Sequence, residues 1–526
     1  MAIFEKKQVK DERVEGIKLE DKSLQGKVRF GKERITNAAE LIESGYIAKT
    51  PAQRLREEIL RRLNSSERRV RDIDLFKNTI VNQTTLESLV SALIAGNNIL
   101  LFGPPGSGKT NLAKDIWNLF PKEVYVVDGC PVQDDPFSLV NEEFSMQNPP
   151  CPLCKMRYGK VSYESLGEFS CKNVNPSSVP VRKTVLREGY GFARLQGSSE
   201  VYADNLTGNI NIHKLEKIGD PTSPEILEPG KLLQANRGVL IIDEVGKLPR
   251  GTQNVLLQAF QEKCVSPAKS RETFPASFVA VTTSNLDDLD NINEPLADRL
   301  TKIHMGFPKL HESNKLIIQM AFAREPPSIF VPDIFVDSCI KLVGAWRASS
   351  GENAELSEVG SNRTMVDIMR RAEAYSILEG REILNLDNFR KGAKDSMLGR
   401  IRARGGDSYQ ENKRLLLSFL DKHLENSFKE SCREYWCDFF TGILKRDQGE
   451  AKKLLSEFSS LVKDLSLVKE GKVKLNVSAR CAKFASYIQK RELGREYDGT
   501  SDYLIAQVYK MLEEASLFEC PEKKLE

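Results

Sequence analysis

Residues 103–110 read GPPGSGKT and residues 239–245 read VLIIDEV. The first motif lies between an apolar run, NILLF, and a helical one, NLAKDIWNLF. In that setting glycines let backbone N–H groups curl around phosphate oxygens, and the helix start adds its positive end. Gly103, Pro104, Pro105, Gly106, Ser107, Gly108, Lys109 and Thr110 are thus expected to hold a nucleoside triphosphate. Lys109 would reach the β and γ phosphates, and the Thr110 hydroxyl would ligate Mg²⁺. In the second motif an apolar strand delivers Asp243 to the Mg²⁺ shell and Glu244 to a water facing the γ-phosphate. Together the two motifs predict ATP and Mg²⁺ as ligands and hydrolysis as the reaction.

Three more polar residues fall in the order a transition-state cage needs. Asn285 ends the predicted strand in VTTSN, Arg299 lies in PLADRLTKI, and Arg363 opens a helix in GSNRTMVDIMRRAEA. An amide at the first place could orient water, and a guanidinium neutralises charge that grows on the γ-phosphate during transfer.

A second constellation has another chemistry. Cys130, Cys151, Cys154 and Cys171 are spaced C-x20-C-x2-C-x16-C. Four thiolates around Zn²⁺ would fold a segment too small to support itself. Separate reduced cysteines and a redox switch are the other two readings, with no cue for a low thiol pKa favouring the switch. Ten cysteines in 526 residues is too few for a disulfide scaffold.

These residues require a scaffold, and the apolar runs outline it. NILLF (98–102), VYVV (124–127), VLII (239–242), FVAVTT (278–283) and KIHMGF (302–307) alternate with helical patterns, which implies an α/β fold with a five-stranded parallel sheet covered on both faces. The interval between the second and third runs is too long for one crossover, so an insertion is expected over about 130–235, with the candidate zinc segment at 130–171. Residues 1–75 read as charged and helical, 76–308 as the nucleotide-binding domain, 309–402 as a helical lid, and 407–526 as a C-terminal all-α domain. Thr50, Pro51 and Gln53 spell a helix start. The arginines of 56–71 alternate with glutamates, as on an ion-paired helix face. Leu417, Leu420, Leu424, Phe428, Cys432, Trp436 and Phe440 form one apolar face of a long helix. Two further helices are expected in EAKKLLSEFSSLVKDL and SDYLIAQVYKMLEEA. No apolar run is long enough for a membrane span and no signal core follows the N-terminus, so a cytoplasmic protein is expected. A net charge of +3, from 77 basic and 74 acidic residues, argues against a nucleic-acid partner.

ANRGVLIIDEV, with EPGKLL before it and PLADRL after, resembles AAA+ ATPases of the magnesium chelatase small-subunit and MoxR type, a group related to MCM helicases. The likeness covers about residues 76–400. It implies a ring, usually a hexamer, with Arg299 as a finger acting in trans, Asn285 as sensor 1 and Arg363 as sensor 2. It also implies a protein client or co-factor, such as a von Willebrand factor A domain protein. DGCPVQDDPFSLV, PCPLCKMRYG and DNLTGNINIHKLEKIGDP are similar to the AAA domain of PrkA-type serine protein kinases. The first reading is therefore a ring-forming ATPase that remodels or activates a partner. The alternatives are a PrkA-type serine/threonine kinase and an MCM-like nucleic-acid motor. The Asp243-Glu244 pair favours hydrolysis over phosphotransfer.

Overall fold

In the computed structural model the described residues are 35–65, 75–163, 165–220, 223–267, 272–350, 359–402 and 408–446, with positions 356, 449, 456 and 460. The two helices expected beyond residue 446 lie outside the described residues, as do residues 1–34 and 66–74 of the charged N-terminal region. One compact unit ends at Pro308 and another begins at Lys309.

In the first unit a short helix, Ala38–Glu43, precedes helix α1 (Pro51–Ser65). Thr50 N–H donates to Gln53 Oε1 at 2.8 Å, and Gln53 N–H donates back to Thr50 Oγ1 at 3.3 Å, the reciprocal box that satisfies two donors a helix start leaves open. On its outer face Glu58 pairs with Arg61 and Arg62, each at 2.8 Å, while Leu55 and Ile59 are buried. After α2 (Gln83–Ala95) come β1 (Asn98–Phe102), α3 (Lys109–Leu119) and β2 (Glu123–Val127). Helix α4 (Pro152–Gly159) precedes β3 (Val181–Val185), β4 (Arg187–Glu188) and β5 (Gly191–Gln196). Then follow β6 (Val239–Asp243), α5 (Arg250–Glu262), β7 (Val279–Ser284), α6 (Glu294–Ala297) and β8 (Leu300–His304).

The main sheet has six strands in the order β8-β1-β7-β6-β5-β4, all paired parallel. Alternate residues face opposite sides, and both sides are covered. Ile99, Leu101, Val239, Ile241, Val279 and Val281 pack with α1, α2 and α3; Leu100, Leu240, Ile242 and Ala280 pack with the insertion and α5. Burying a Leu or Ile side chain stabilises by about 1.5–3 kcal/mol, so both faces fix the carboxyl ends of the strands, the side on which open α/β sheets bind ligands.

One expected strand is not in this sheet. Residues 123–127, containing VYVV, pair antiparallel with β3, from Glu123↔Val185 to Val127↔Val181. The place beside β6 is taken by β5, in register from Phe192↔Val239 to Gln196↔Asp243. The sheet therefore has six strands where five were expected, and part of the 130–235 insertion is integral to it. In β5, GFARLQ, only three residues are apolar side chains, too few to stand out as a buried strand.

The second unit is helical: α7 (His311–Arg324), α8 (Asp333–Ala348), α9 (Asn362–Leu378), α10 (Leu386–Met397) and α11 (Tyr409–Arg446). Phe335 and Trp346 of α8, Met365 and Ile368 of α9 and Phe389 of α10 share one core with Leu416, Leu420, Leu424, Phe428 and Cys432 of α11. Phe335 stacks on Phe428 with ring centroids 5.5 Å apart. The apolar face of α11 is thus packed on the preceding helices as far as Cys432, so the expected boundary at 402–407 does not separate two cores; the side chains of Trp436 and Phe440 lie outside the described residues. Leu417, expected on the buried face, is 39 % exposed; Leu416 takes its place.

Candidate nucleotide site

The phosphate loop leaves β1 at its carboxyl end. Gly103 has φ 152°, and a Cβ there would lie 2.2 Å from the Met305 carbonyl. Gly108, φ 98°, is the N-cap of α3 and contributes no side-chain cap. The first-turn N–H groups of an eleven-residue helix are therefore open to an anion. Ser107 is 3 % exposed, and its hydroxyl has no hydrogen-bond partner. An orphaned buried donor facing a loop of this kind fits a phosphate oxygen as its missing partner.

Lys109 Nζ donates to the carbonyls of Gly103 and Pro104, both at 2.8 Å, and to Asn285 Oδ1 at 3.1 Å. Burial depresses the Lys109 ammonium to about 8, against the opposing pull of Glu244. Thr110 Oγ1 donates to Asp243 Oδ1 at 2.8 Å. The structure thus brings the loop, Asn285 and Asp243 together at the ends of β1, β7 and β6.

Four residues not singled out in the sequence complete this cluster. Arg194 of β5 donates to Asp243 Oδ2 at 2.7 Å. Thr283 of β7 donates to Asp243 Oδ1 at 3.3 Å and accepts from Glu244 N–H at 3.0 Å. Gln196 and Lys247 both donate to Glu244 Oε2 at 2.9 Å. Glu244 adopts φ 55°, ψ 51°, a left-handed conformation uncommon outside glycine and concentrated at functional sites. Gly197 follows the strand closely: a Cβ there would lie 2.1 Å from the Glu244 carbonyl. Only Thr283 had a signal in the sequence, the run of polar residues Thr282, Thr283 and Ser284 ending an apolar strand.

The two arginines have other settings within their own units. Arg299 donates to Gln261 Oε1 at 2.6 and 3.2 Å and to the Pro295 carbonyl at 2.6 Å, with no phosphate-loop residue among its partners. Arg363 is exposed in the first turn of α9, after the Ser361 N-cap, in the second unit.

The motif ANRG acquires a structural role. Asn236 Nδ2 donates to the Val132 carbonyl at 2.7 Å, and its Oδ1 accepts from Ser277 N–H at 2.9 Å. Arg237, at φ 70°, donates to Asp135 Oδ2 and to the Tyr125 carbonyl, both at 2.5 Å. Asn236 and Arg237 therefore tie the start of the insertion to the segment that leads into the Asp243 strand.

The cysteines divide. Cys130, Cys151 and Cys154 converge with Asp134, their donor atoms all within 4.8 Å of one another. Cys171 does not join them; its thiol donates to the Ser138 carbonyl at 3.7 Å. Sequence spacing carries no distance, and the fourth converging group is a carboxylate four residues after Cys130. Burial, then the charge on Cys130, pushes the Asp134 carboxyl up to about 8.

A phosphate loop after β1, an acidic pair after β6 and this strand order define an AAA+ ATPase fold. Residues 56–322, half of the chain, match the PrkA AAA domain family, and the chain belongs to it. The chain is 24 % identical over 364 residues to a magnesium-chelatase subunit ChlI homolog of Methanocaldococcus jannaschii, covering 63 % of this chain and 86 % of that one. It is 25 % identical over 276 residues to an archaeal Lon protease of Methanothermobacter thermautotrophicus, covering 43 % of this chain and 42 % of the relative. Among solved structures, a chain from the complex between magnesium chelatase subunits BchI and BchD aligns at 21 % identity with a TM-score of 0.30, over 63 % of this chain and 97 % of that one. Among the described residues no helix is long and apolar enough to cross a membrane.

Proposed function

We propose that this chain hydrolyses ATP to ADP and phosphate as a ring-forming motor that remodels or activates a partner protein. The observation that carries the reading is the shared cluster of Lys109, Thr110, Asn285, Asp243 and Glu244 at the ends of adjacent parallel strands. Lys109 and the open N–H groups of α3 would bind the phosphates. Thr110 and Asp243 would hold Mg²⁺, which neutralises charge on the transferring phosphoryl group when bound. Glu244 would take the proton from water as the γ-phosphorus bond to ADP breaks, with Asn285 orienting that water. Arg363 is assigned the sensor 2 role, and Arg299 the role of a finger reaching a neighbouring subunit. A hexameric ring and a von Willebrand factor A domain partner are parts of this proposal that rest on the sequence resemblance, and a cytoplasmic location is a part that rests on the hydropathy pattern of the sequence.

A second reading, phosphotransfer to serine or threonine, is favoured by the PrkA family match, which spans the AAA domain. Incubation with ATP labelled at the γ-phosphate separates the two. Hydrolysis is expected to release label as free phosphate, to be lost on Lys109→Ala, and to fall about 10²–10⁴-fold in Glu244→Gln while nucleotide stays bound. Label on serine or threonine, absent only from Lys109→Ala, would put the kinase reading first.

A further inference from the structure

The insertion holds a cluster that the nucleotide chemistry does not use. Cys151 and Cys154 are fully buried, Asp134 is 2 % exposed, and Cys130 is half-buried. Cys151 caps α4 at its N-terminus and Cys154 lies in its first turn, so the C-x2-C pair turns both thiols to one side. Cys130 and Asp134 come from the loop after β2. The Asp134 N–H donates to Cys130 Sγ at 3.3 Å, and Cys151 N–H donates to Asp134 Oδ2 at 2.8 Å. Two backbone donors thus orient the thiol and the carboxylate. Asp134 Oδ1, by contrast, is buried with no hydrogen-bond partner. A buried carboxylate oxygen left so carries a penalty that a cation would remove.

We infer that Cys130, Asp134, Cys151 and Cys154 form a tetrahedral Zn²⁺ site that staples α4 to the loop after β2. The spacing supports it. Zn–S bonds of about 2.3 Å in tetrahedral geometry put two sulfurs about 3.8 Å apart, and Cys130 Sγ lies 3.7 Å from Cys151 Sγ. Three soft thiolates select zinc over calcium or magnesium. An iron–sulfur cluster would need its ligands farther apart, because several irons and sulfides intervene. All four positions are taken by protein, which is the arrangement of a structural ion and not of one that binds substrate. The staple lies one residue from Asp135, whose pairing with Arg237 reaches β6, so the ion would also hold the anchorage of the Asp243 strand.

The test measures metal on the full-length chain. After growth in zinc-supplemented medium and dialysis, elemental analysis is expected to find about one zinc per chain in the wild type and in Cys171→Ser. Cys154→Ser and Asp134→Ala are expected to lose at least about tenfold in affinity against a chromophoric chelator, since even loss of a group that only hydrogen-bonds a metal ligand costs about 10–100-fold. Asp134→Cys should keep the metal. If Cys154→Ser fails to fold, Co²⁺ titration of the chelator-treated wild type decides: thiolate-to-cobalt charge transfer with tetrahedral visible bands, reversed by Zn²⁺, is expected. Stoichiometric iron with sulfide, a Cys130–Cys151 disulfide in its place, zinc loss in Cys171→Ser equal to that in Cys154→Ser, or no metal and no cobalt spectrum would each overturn the assignment.

Discussion

Lys109 carries the sharpest pH dependence in the site. The residue is 8 % exposed, its ammonium is held by two carbonyls and an amide oxygen, and burial lowers its pKa from 10.5 to about 8. Between those values the unfolded chain keeps a proton that the folded chain releases, so this residue's contribution to stability rises with pH through the window and its burial cost is fully present below about 8. Phosphates favour the charged form and reverse the shift. Nucleotide binding should therefore take up close to one proton per site at about pH 9 and almost none at about pH 7, with affinity falling above pH 8. Calorimetry in buffers of different ionisation heat reads this directly; equal uptake at both pH values would show that Lys109 is not the group involved. The phosphate loop and its place between β1 and α3 were legible in the sequence because the loop is a local device, set by eight consecutive residues. Arg194 and Gln196 were not, because they act across a strand boundary that only the register of β5 on β6 creates. Asp134 was missed for a similar reason: thiols announce a metal site by residue type, whereas one aspartate among many does not.

At the scale of elements, one buried ion pair helps to tie the start of the insertion to β6. Arg237 and Asp135 are 6 % and 4 % exposed, and Tyr46 adds a hydrogen bond to Asp135 at 3.3 Å. Removing one partner leaves the other charged and buried, which costs about 3–5 kcal/mol; removing both costs less. Arg237→Met should thus lower the first thermal transition by roughly 6–20 °C, and Asp135→Asn combined with Arg237→Met should recover part of that loss. If the double variant is as unstable as the sum of the singles, the pair is not coupled and the anchorage lies in Asn236. The helix start at Thr50 was readable because a capping box is four residues long. That β2 pairs with β3 and not with the main sheet was not readable, because an apolar strand carries no record of its neighbour. The packing of α11 on α8 escaped for the same reason: an amphipathic face says that something covers it, not which helix does.

The role proposed for Arg299 is one that requires assembly. Within one chain its guanidinium is spent on Gln261 and the Pro295 carbonyl, on a partly exposed surface. A residue so placed has no partner in the phosphate loop of its own chain, and the trans role expected by resemblance requires a second copy to supply one. Two inactive variants test this. Lys109→Ala leaves the finger intact and removes nucleotide binding, while Arg299→Ala leaves the nucleotide site intact and removes the finger. Each alone should hydrolyse ATP far more slowly than the wild type, with Arg299→Ala still binding nucleotide, because a transition-state guanidinium contributes about 10³–10⁵-fold in comparable sites. Mixed, they create interfaces at which an intact site meets an intact finger, so activity should rise above both parents and pass through a maximum with the mixing ratio. A finger acting within its own chain predicts the opposite: each chain would still lack one essential group, and the mixture would stay at the average of its components at every ratio and concentration.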